Sequence, residues 1–183
     1  MRLIAGLGNP GAEYESTRHN LGFEVCECFA RRRAWNYWKA GFRGLHAQGR
    51  FGGEDVVLLK PQTYMNLSGR SVQSAMANWK LAPAEVLVVA DDMALPLGKL
   101  RVRERGSAGG HNGLQSVIEV AGEELARLRL GIGDPKGDPA EWVLKAFLKS
   151  ERDEAAIMVE KAADALETIL VEGVTAAMNR FNG

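Results

Sequence analysis

Histidine is the side chain whose ordinary pKa, about 6.5, suits proton transfer near neutral pH. This sequence has three: His19, His46 and His111. His19 stands in Thr17-Arg18-His19-Asn20, and His111 in Gly109-Gly110-His111-Asn112-Gly113. Two adjacent carboxylates, Asp91 and Asp92, and three amides, Asn9, Asn66 and Asn112, are their candidate partners. A carboxylate orients an imidazole and stabilises its protonated form, so such a pair can take a proton from water. Asparagine amides can hold an ester carbonyl or donate to a developing oxyanion. No serine stands on a strained strand-to-helix elbow. These residue types therefore point to a hydrolase-like site with a histidine base.

The elements that must position these groups follow from apolar spacing. Leu3–Leu7 is a short apolar run closed by the turn cluster Gly8-Asn9-Pro10-Gly11, a buried strand feeding a loop. From His19 to about Arg32 the pattern is weakly helical. Gly44–Arg50 and Asp55–Lys60 flank Gly52-Gly53 as a hairpin. Ser68–Lys80 carries Val72, Ala75, Met76 and Trp79 on one helical face, with Ser68 as the expected N-cap. Val86–Ala90 is a continuous apolar strand, and Leu100–Arg103 alternates as an edge strand does. A short helix is expected over Gly113–Ala121 and a strand over Leu128–Ile132. Asp138-Pro139 starts a helix, and Ser150 with Asp153 opens a long one to about Val171. Strands and helices alternate. The expected fold is α/β: a single three-layer α/β/α domain over residues 1–183, with a mixed, largely parallel central sheet. Asn9, Asn66 and Asp91 all follow strands, where open α/β sheets bind their ligands.

The 183 residues suffice for one core, and formal charge is +0. A long nucleic-acid track is thereby disfavoured, but a local one is not. Arg31, Arg32, Arg33, Lys39, Arg43 and Arg50 lie in one stretch without an acid. Lys99, Arg101, Arg103 and Arg105 form a second basic run, interrupted by Glu104. The chain after Glu151 is acidic, so a positive surface on one side is expected. Cys26 and Cys28 fall on different helix faces and are expected reduced and apolar, as in a cytoplasmic protein. No apolar run approaches the about 18 residues a membrane span needs.

Some tempting patterns have plainer explanations. Gly6-x-Gly8-x-x-Gly11 matches a dinucleotide fingerprint, but Pro10 and a polar stretch follow it where a helix should start. His19, His111, Asp91 and Asp92 could ligate a metal, yet no local His spacing supports that. His46 sits in an alternating stretch and is expected at the surface. Trp35 and Trp38 flank bases and suit packing as well as base stacking. The arginines at 31–33 end a helix, where cations suit the dipole.

At these residues the sequence resembles bacterial peptidyl-tRNA hydrolases. The blocks are Gly6-Leu7-Gly8-Asn9-Pro10-Gly11 with Tyr14, Thr17-Arg18-His19-Asn20, Lys60-Pro61-Gln62-Thr63-Tyr64-Met65-Asn66-Leu67-Ser68-Gly69 and Asp91-Asp92. Gly98 with Arg101 and Arg103, Gly109–Leu114 and Arg127–Gly133 complete an ordered set over nearly the whole chain. The resemblance implies hydrolysis of the ester joining a peptide to tRNA, by a monomer, with no metal or other cofactor. It implies His19 as general base and Asp91 as its orienting carboxylate. Asn9 and Asn112 would hold the peptide or the water, and Asn66 the substrate and oxyanion. Tyr14, Tyr64 and Met65 would line the cleft, and His111 would shape its loop or touch substrate. Arg101 and Arg103 would clamp tRNA phosphate, with Arg129 also on the substrate side, and the C-terminal helix would gate the cleft. Where the family usually carries His and Asp, this chain has Ala90 and Ala94. A non-catalytic RNA-binding relative of the same fold is the alternative.

Overall fold

Leu3, Ile4, Ala5 and Leu7 are fully buried, as a strand covered on both faces requires. They belong to or directly follow β1 (Arg2–Gly6), the middle strand of a seven-stranded sheet in a computed structural model that describes residues 1–183. The others are β2 (Lys39–Gly41), β3 (Gly44–Phe51), β4 (Glu54–Pro61), β5 (Val86–Asp92), β6 (Leu100–Arg103) and β7 (Ala126–Gly131). Their order is β2-β3-β4-β1-β5-β7-β6. The central pairs β4–β1, β1–β5 and β5–β7 are parallel, and the outer pairs are antiparallel. Gly52 and Gly53 both have positive φ, which turns the chain tightly from β3 into β4.

Helices cover both faces. On one side α1 (Leu21–Arg32), α5 (Arg152–Glu172) and α6 (Val174–Phe181) contribute Val25, Phe29, Leu166, Ile169 and Ala177 to the larger core. On the other, α2 (Ser68–Trp79) and α3 (Asn112–Ala121) contribute Val72, Ala75, Leu114 and Val117 to the smaller one. The expected three-layer, mixed-sheet α/β domain is what forms. A Cβ on Gly6 would lie 2.1 Å from the Gly22 carbonyl oxygen, so that glycine lets β1 and α1 touch and cradles no phosphate. Cys26 and Cys28 are buried and unpaired, and burial pushes the Cys26 thiol up to about 12.

Several expectations need correction. Ser68 is not an N-cap but the first residue of α2, with its hydroxyl donating to the Met65 carbonyl at 2.7 Å. Ser150 does not cap α5 either. The preceding turn is closed by Glu151, whose carboxylate accepts the Leu148 N–H at 2.9 Å. His46 is buried against Phe42 and Trp79, with ring centroids 5.0 and 6.1 Å away, and burial lowers its pKa. The basic and acidic stretches do not face opposite ways. Arg32 bonds Glu160, Asp164 and Glu167 of α5, and Arg33 shares Glu167. Strand β2 was not anticipated, because Lys39-Ala40-Gly41 has no apolar alternation.

Candidate active site

His19 lies in a 3-10 turn, Arg18–Asn20, just ahead of α1. Its N–H donates to the Val143 carbonyl at 2.8 Å, and the neighbouring Arg18 N–H to that of Lys145 at 3.1 Å. The Arg18 side chain is fully buried and serves as the post for this region. It donates to the carbonyls of Trp142, Lys145 and Ala146, pairs with Glu151 at 3.1 Å, and stacks 3.6 Å from the Trp142 ring centroid. Sequence reasoning assigned Arg18 no role, because its partners lie more than 120 residues further along. Arg18→Ala strands three backbone carbonyls and leaves Glu151, itself 22% exposed, without its partner. It is expected to cost about 2–3 kcal/mol of stability, read by urea unfolding.

Asp91, expected just past its strand, is instead the last residue but one of β5 and is almost fully buried. Its carboxylate is shared by two histidines. His19 Nδ1 lies 2.9 Å from Oδ1 and 3.0 Å from Oδ2, and His111 Nε2 lies 2.9 Å from Oδ1. The His111 tautomer follows from its other nitrogen. Nδ1 accepts the Leu114 N–H at 3.1 Å, making His111 the N-cap of α3, so Nε2 carries the proton and donates to Asp91. His19 likewise donates from Nδ1, which leaves its Nε2 lone pair free. Burial raises the Asp91 pKa and is the largest single influence on it. The facing His111 and His19 together outweigh burial, and hold the carboxyl well below its usual range. The loop after Asp91 holds without polar groups at 90 and 94. Asp92 Oδ1 accepts the Ala94 N–H at 2.8 Å, and the Asp92 carbonyl accepts those of Leu95 and Ile132.

A cavity of about 550 Å³ opens here, lined by His19, Asp91, His111, Asn112 and Arg129. Asn112 opens α3 and is exposed. Pro139, Ala140 and Val143, in and after the four-residue α4 (Pro139–Trp142), form another wall. The C-terminal helices do not line it, so the expected gate is not there: α6 packs on β6, and Asn182 bonds both backbone groups of Val102. Asn9 stands beside the His19 turn. The Asn20 amide clamps its backbone from both sides at 2.8 and 3.0 Å, a positioning part that spacing alone does not reveal. Asn9 Oδ1 accepts the Met65 N–H at 2.7 Å, which fixes the orientation of the amide and leaves its NH2 without an internal partner. Met65 itself is a core side chain, 5% exposed, and supports the site through that N–H rather than lining the cleft. Asn66 next to it is exposed and makes no internal hydrogen bond. Tyr64 is 53% exposed and meets Tyr14 edge-on at 6.4 Å, outside the cavity wall. Its backbone, at φ 64 and ψ 154, is strained.

Arg101 faces Arg129 across the β6–β7 pair, and Arg103 faces Arg127. Residues two apart share a face, so four guanidinium groups crowd one edge of the sheet. Arg127 is buried among the carbonyls of Gly106, Ser107, Glu123 and Leu125, and burial and Arg129 both lower its pKa. Arg129 bonds the Ser107 carbonyl and reaches Asp92 only at 3.5 Å. Arg101 and Arg103 form no ion pair, which leaves them for an external anion. His19, Asp91 and His111 also place three possible metal-ligand atoms within 4.8 Å, a grouping that local spacing did not foreshadow. The distances between them are those of hydrogen bonds.

The family profile described as peptidyl-tRNA hydrolase matches residues 3–183. The peptidyl-tRNA hydrolase of Symbiobacterium thermophilum is 48% identical over 99% of this chain and 98% of its own. That of Clostridium acetobutylicum is 44% identical over 100% of this chain and 98% of its own. A crystal structure of peptidyl-tRNA hydrolase from Acinetobacter baumannii superposes with a TM-score of 0.92 at 37% identity, covering 100% of this chain and 95% of that one. By its fold, its sequence and its span, the chain belongs to the peptidyl-tRNA hydrolase family.

Proposed function

We propose that this chain hydrolyses the ester joining a peptide to the terminal ribose of tRNA, using His19 to activate water. The observation that carries the proposal is the His19–Asp91 pair, with the free Nε2 of His19 at the wall of an open cavity. As water adds to the ester carbonyl, Nε2 takes its proton, and the buried Asp91 carboxylate stabilises the imidazolium. When the tetrahedral intermediate collapses, that proton passes from His19 to the departing ribose oxygen. A ribose oxygen leaves more readily than an amide nitrogen, so an activated water suffices. With its oxygen oriented by the Met65 N–H, the Asn9 NH2 can donate to a carbonyl oxygen, an oxyanion or the water oxygen. Asn112 adds an amide at the cavity wall, the exposed Asn66 another beyond it, and Tyr14 and Tyr64 an aromatic edge for the terminal adenosine or peptide.

His111 acts through Asp91, holding the carboxylate for His19 rather than meeting substrate. Residues 1–183 work as one domain and as a monomer, and the reaction uses no metal. The assembled pair favours an enzyme over a non-catalytic RNA-binding relative. The test is incubation with an N-blocked aminoacyl-tRNA in EDTA. Free tRNA should appear well above background at the rate seen without chelator. No release would sink the reading, and loss on chelation would make His19, Asp91 and His111 a metal site instead.

The unpaired Arg101 and Arg103 suit tRNA phosphate. Arg101→Ala and Arg103→Ala are each expected to weaken tRNA binding. Each should also lower the slope of log affinity against log salt by about one, as for one lost phosphate contact. Filter binding across a salt series measures both.

A further inference from the structure

A second basic region lies on the opposite edge of the sheet. Residues 34–53 and 61–84 contain no aspartate or glutamate, but carry Lys39, Arg43, Arg50, Arg70 and Lys80 in a chain that is neutral overall. Of these only Arg50 is paired, with Asp55. The two stretches meet at the end of the sheet that holds the site. The Ser71 hydroxyl donates to the Phe42 carbonyl at 2.6 Å, which joins the first turn of α2, where Arg70 lies, to the β2–β3 hairpin that carries Arg43. The Arg43 carbonyl accepts the Gln62 N–H at 2.9 Å, which ties this tip to the loop leading to Tyr64.

The tip is built at a conformational cost. Two-residue hairpin turns with positive φ favour Asn and Gly, yet here they are Phe42 at φ 55 and Arg43 at φ 54. Phe42 is held by packing on Trp79 and His46, at 4.8 and 5.0 Å. Arg43 is held only through its backbone: its side chain is exposed and makes no hydrogen bond or ion pair. The turn is held by its backbone bonds to Gln62 and Ser71, and it presents an unpaired guanidinium to solvent.

We propose that Arg43 and Arg70 form a second phosphate-binding surface, which grips the tRNA backbone on the tyrosine side of the cleft. The proposal rests on the peptidyl-tRNA reading of the site. Five inter-strand steps separate β3 from β6, roughly 24 Å at about 4.8 Å each. No small anion spans that distance to reach the Arg101–Arg129 edge as well, but an RNA backbone does.

The test compares wild type with Arg43→Asn, Arg70→Gln and the double variant. Asn tolerates the left-handed backbone at 43, and Gln keeps the helix at 70. Affinity for intact tRNA is measured across a salt series, and turnover on an N-blocked aminoacyl-tRNA and on an N-blocked aminoacyl-adenosine. Each single variant should lower the salt slope by about one and the double variant by about two, with KM raised on the intact tRNA only. Arg43→Lys should retain the slope. An unchanged slope in the double variant would overturn the proposal, as would an equal loss on the short ester, which would place the effect in the cleft. If wild type itself releases no tRNA, the reading of the site fails rather than this assignment within it.

Discussion

His19→Ala lowers the single-turnover rate of ester cleavage by roughly 10²–10⁴-fold, the ordinary worth of a positioned general base. His19 is the only group whose free nitrogen meets the cavity with a carboxylate behind it. His111 cannot substitute, because one of its nitrogens donates to Asp91 and the other accepts from α3. The fold should survive, since the backbone bond to Val143 and the Arg18 post do not involve the imidazole. Affinity for tRNA should also persist, since the unpaired arginines lie on the sheet edges. Single-turnover kinetics with enzyme in excess, alongside equilibrium binding of deacylated tRNA, separate the two quantities.

Asp91→Asn should cost on the order of 10³–10⁴-fold, comparable to removing the base itself. The carboxylate accepts from both rings, whereas an Asn oxygen can serve one while its NH2 confronts the other N–H. Either His19 loses its partner, or it takes the tautomer with the proton on Nε2 and cannot accept from water. The imidazolium also loses its counter-charge. Nitrogen-15 spectra of the labelled histidines give the independent readout. In the wild type, neutral His19 should carry its proton on Nδ1 and His111 on Nε2. In the variant at least one assignment should change.

Local pattern made much of the scaffold legible. The apolar runs at Leu3–Leu7 and Val86–Ala90, the Gly52-Gly53 turn, and Asp138, which caps α4 through the Ala140 N–H at 3.1 Å, need only neighbours in sequence. The catalytic candidates could be named, but their connection could not. His19, Asp91 and His111 are 72 and 20 residues apart, and only the parallel pairing of β1 with β5 brings the first two together. The misplaced residues share this cause. His46 alternates like a surface residue, but the face it points to is closed by Trp79, 33 positions on. The arginines at 31–33 resemble a free basic patch until α5 brings its acids against two of them. Met65 sits in a motif of site residues, yet its side chain fills the core and its backbone serves Asn9.

The pH dependence of kcat/KM on an N-blocked aminoacyl-tRNA reports the protonation of the catalytic base. A base works only when unprotonated, so the rate should fall as pH falls. Asp91 stays ionised throughout, held down by the two histidines, so no carboxylate should contribute. One acid limb is expected, about tenfold per pH unit, and it should be absent from the residual rate of His19→Ala. A rate that does not fall with falling pH, or the same limb persisting in His19→Ala, would contradict a His19 base.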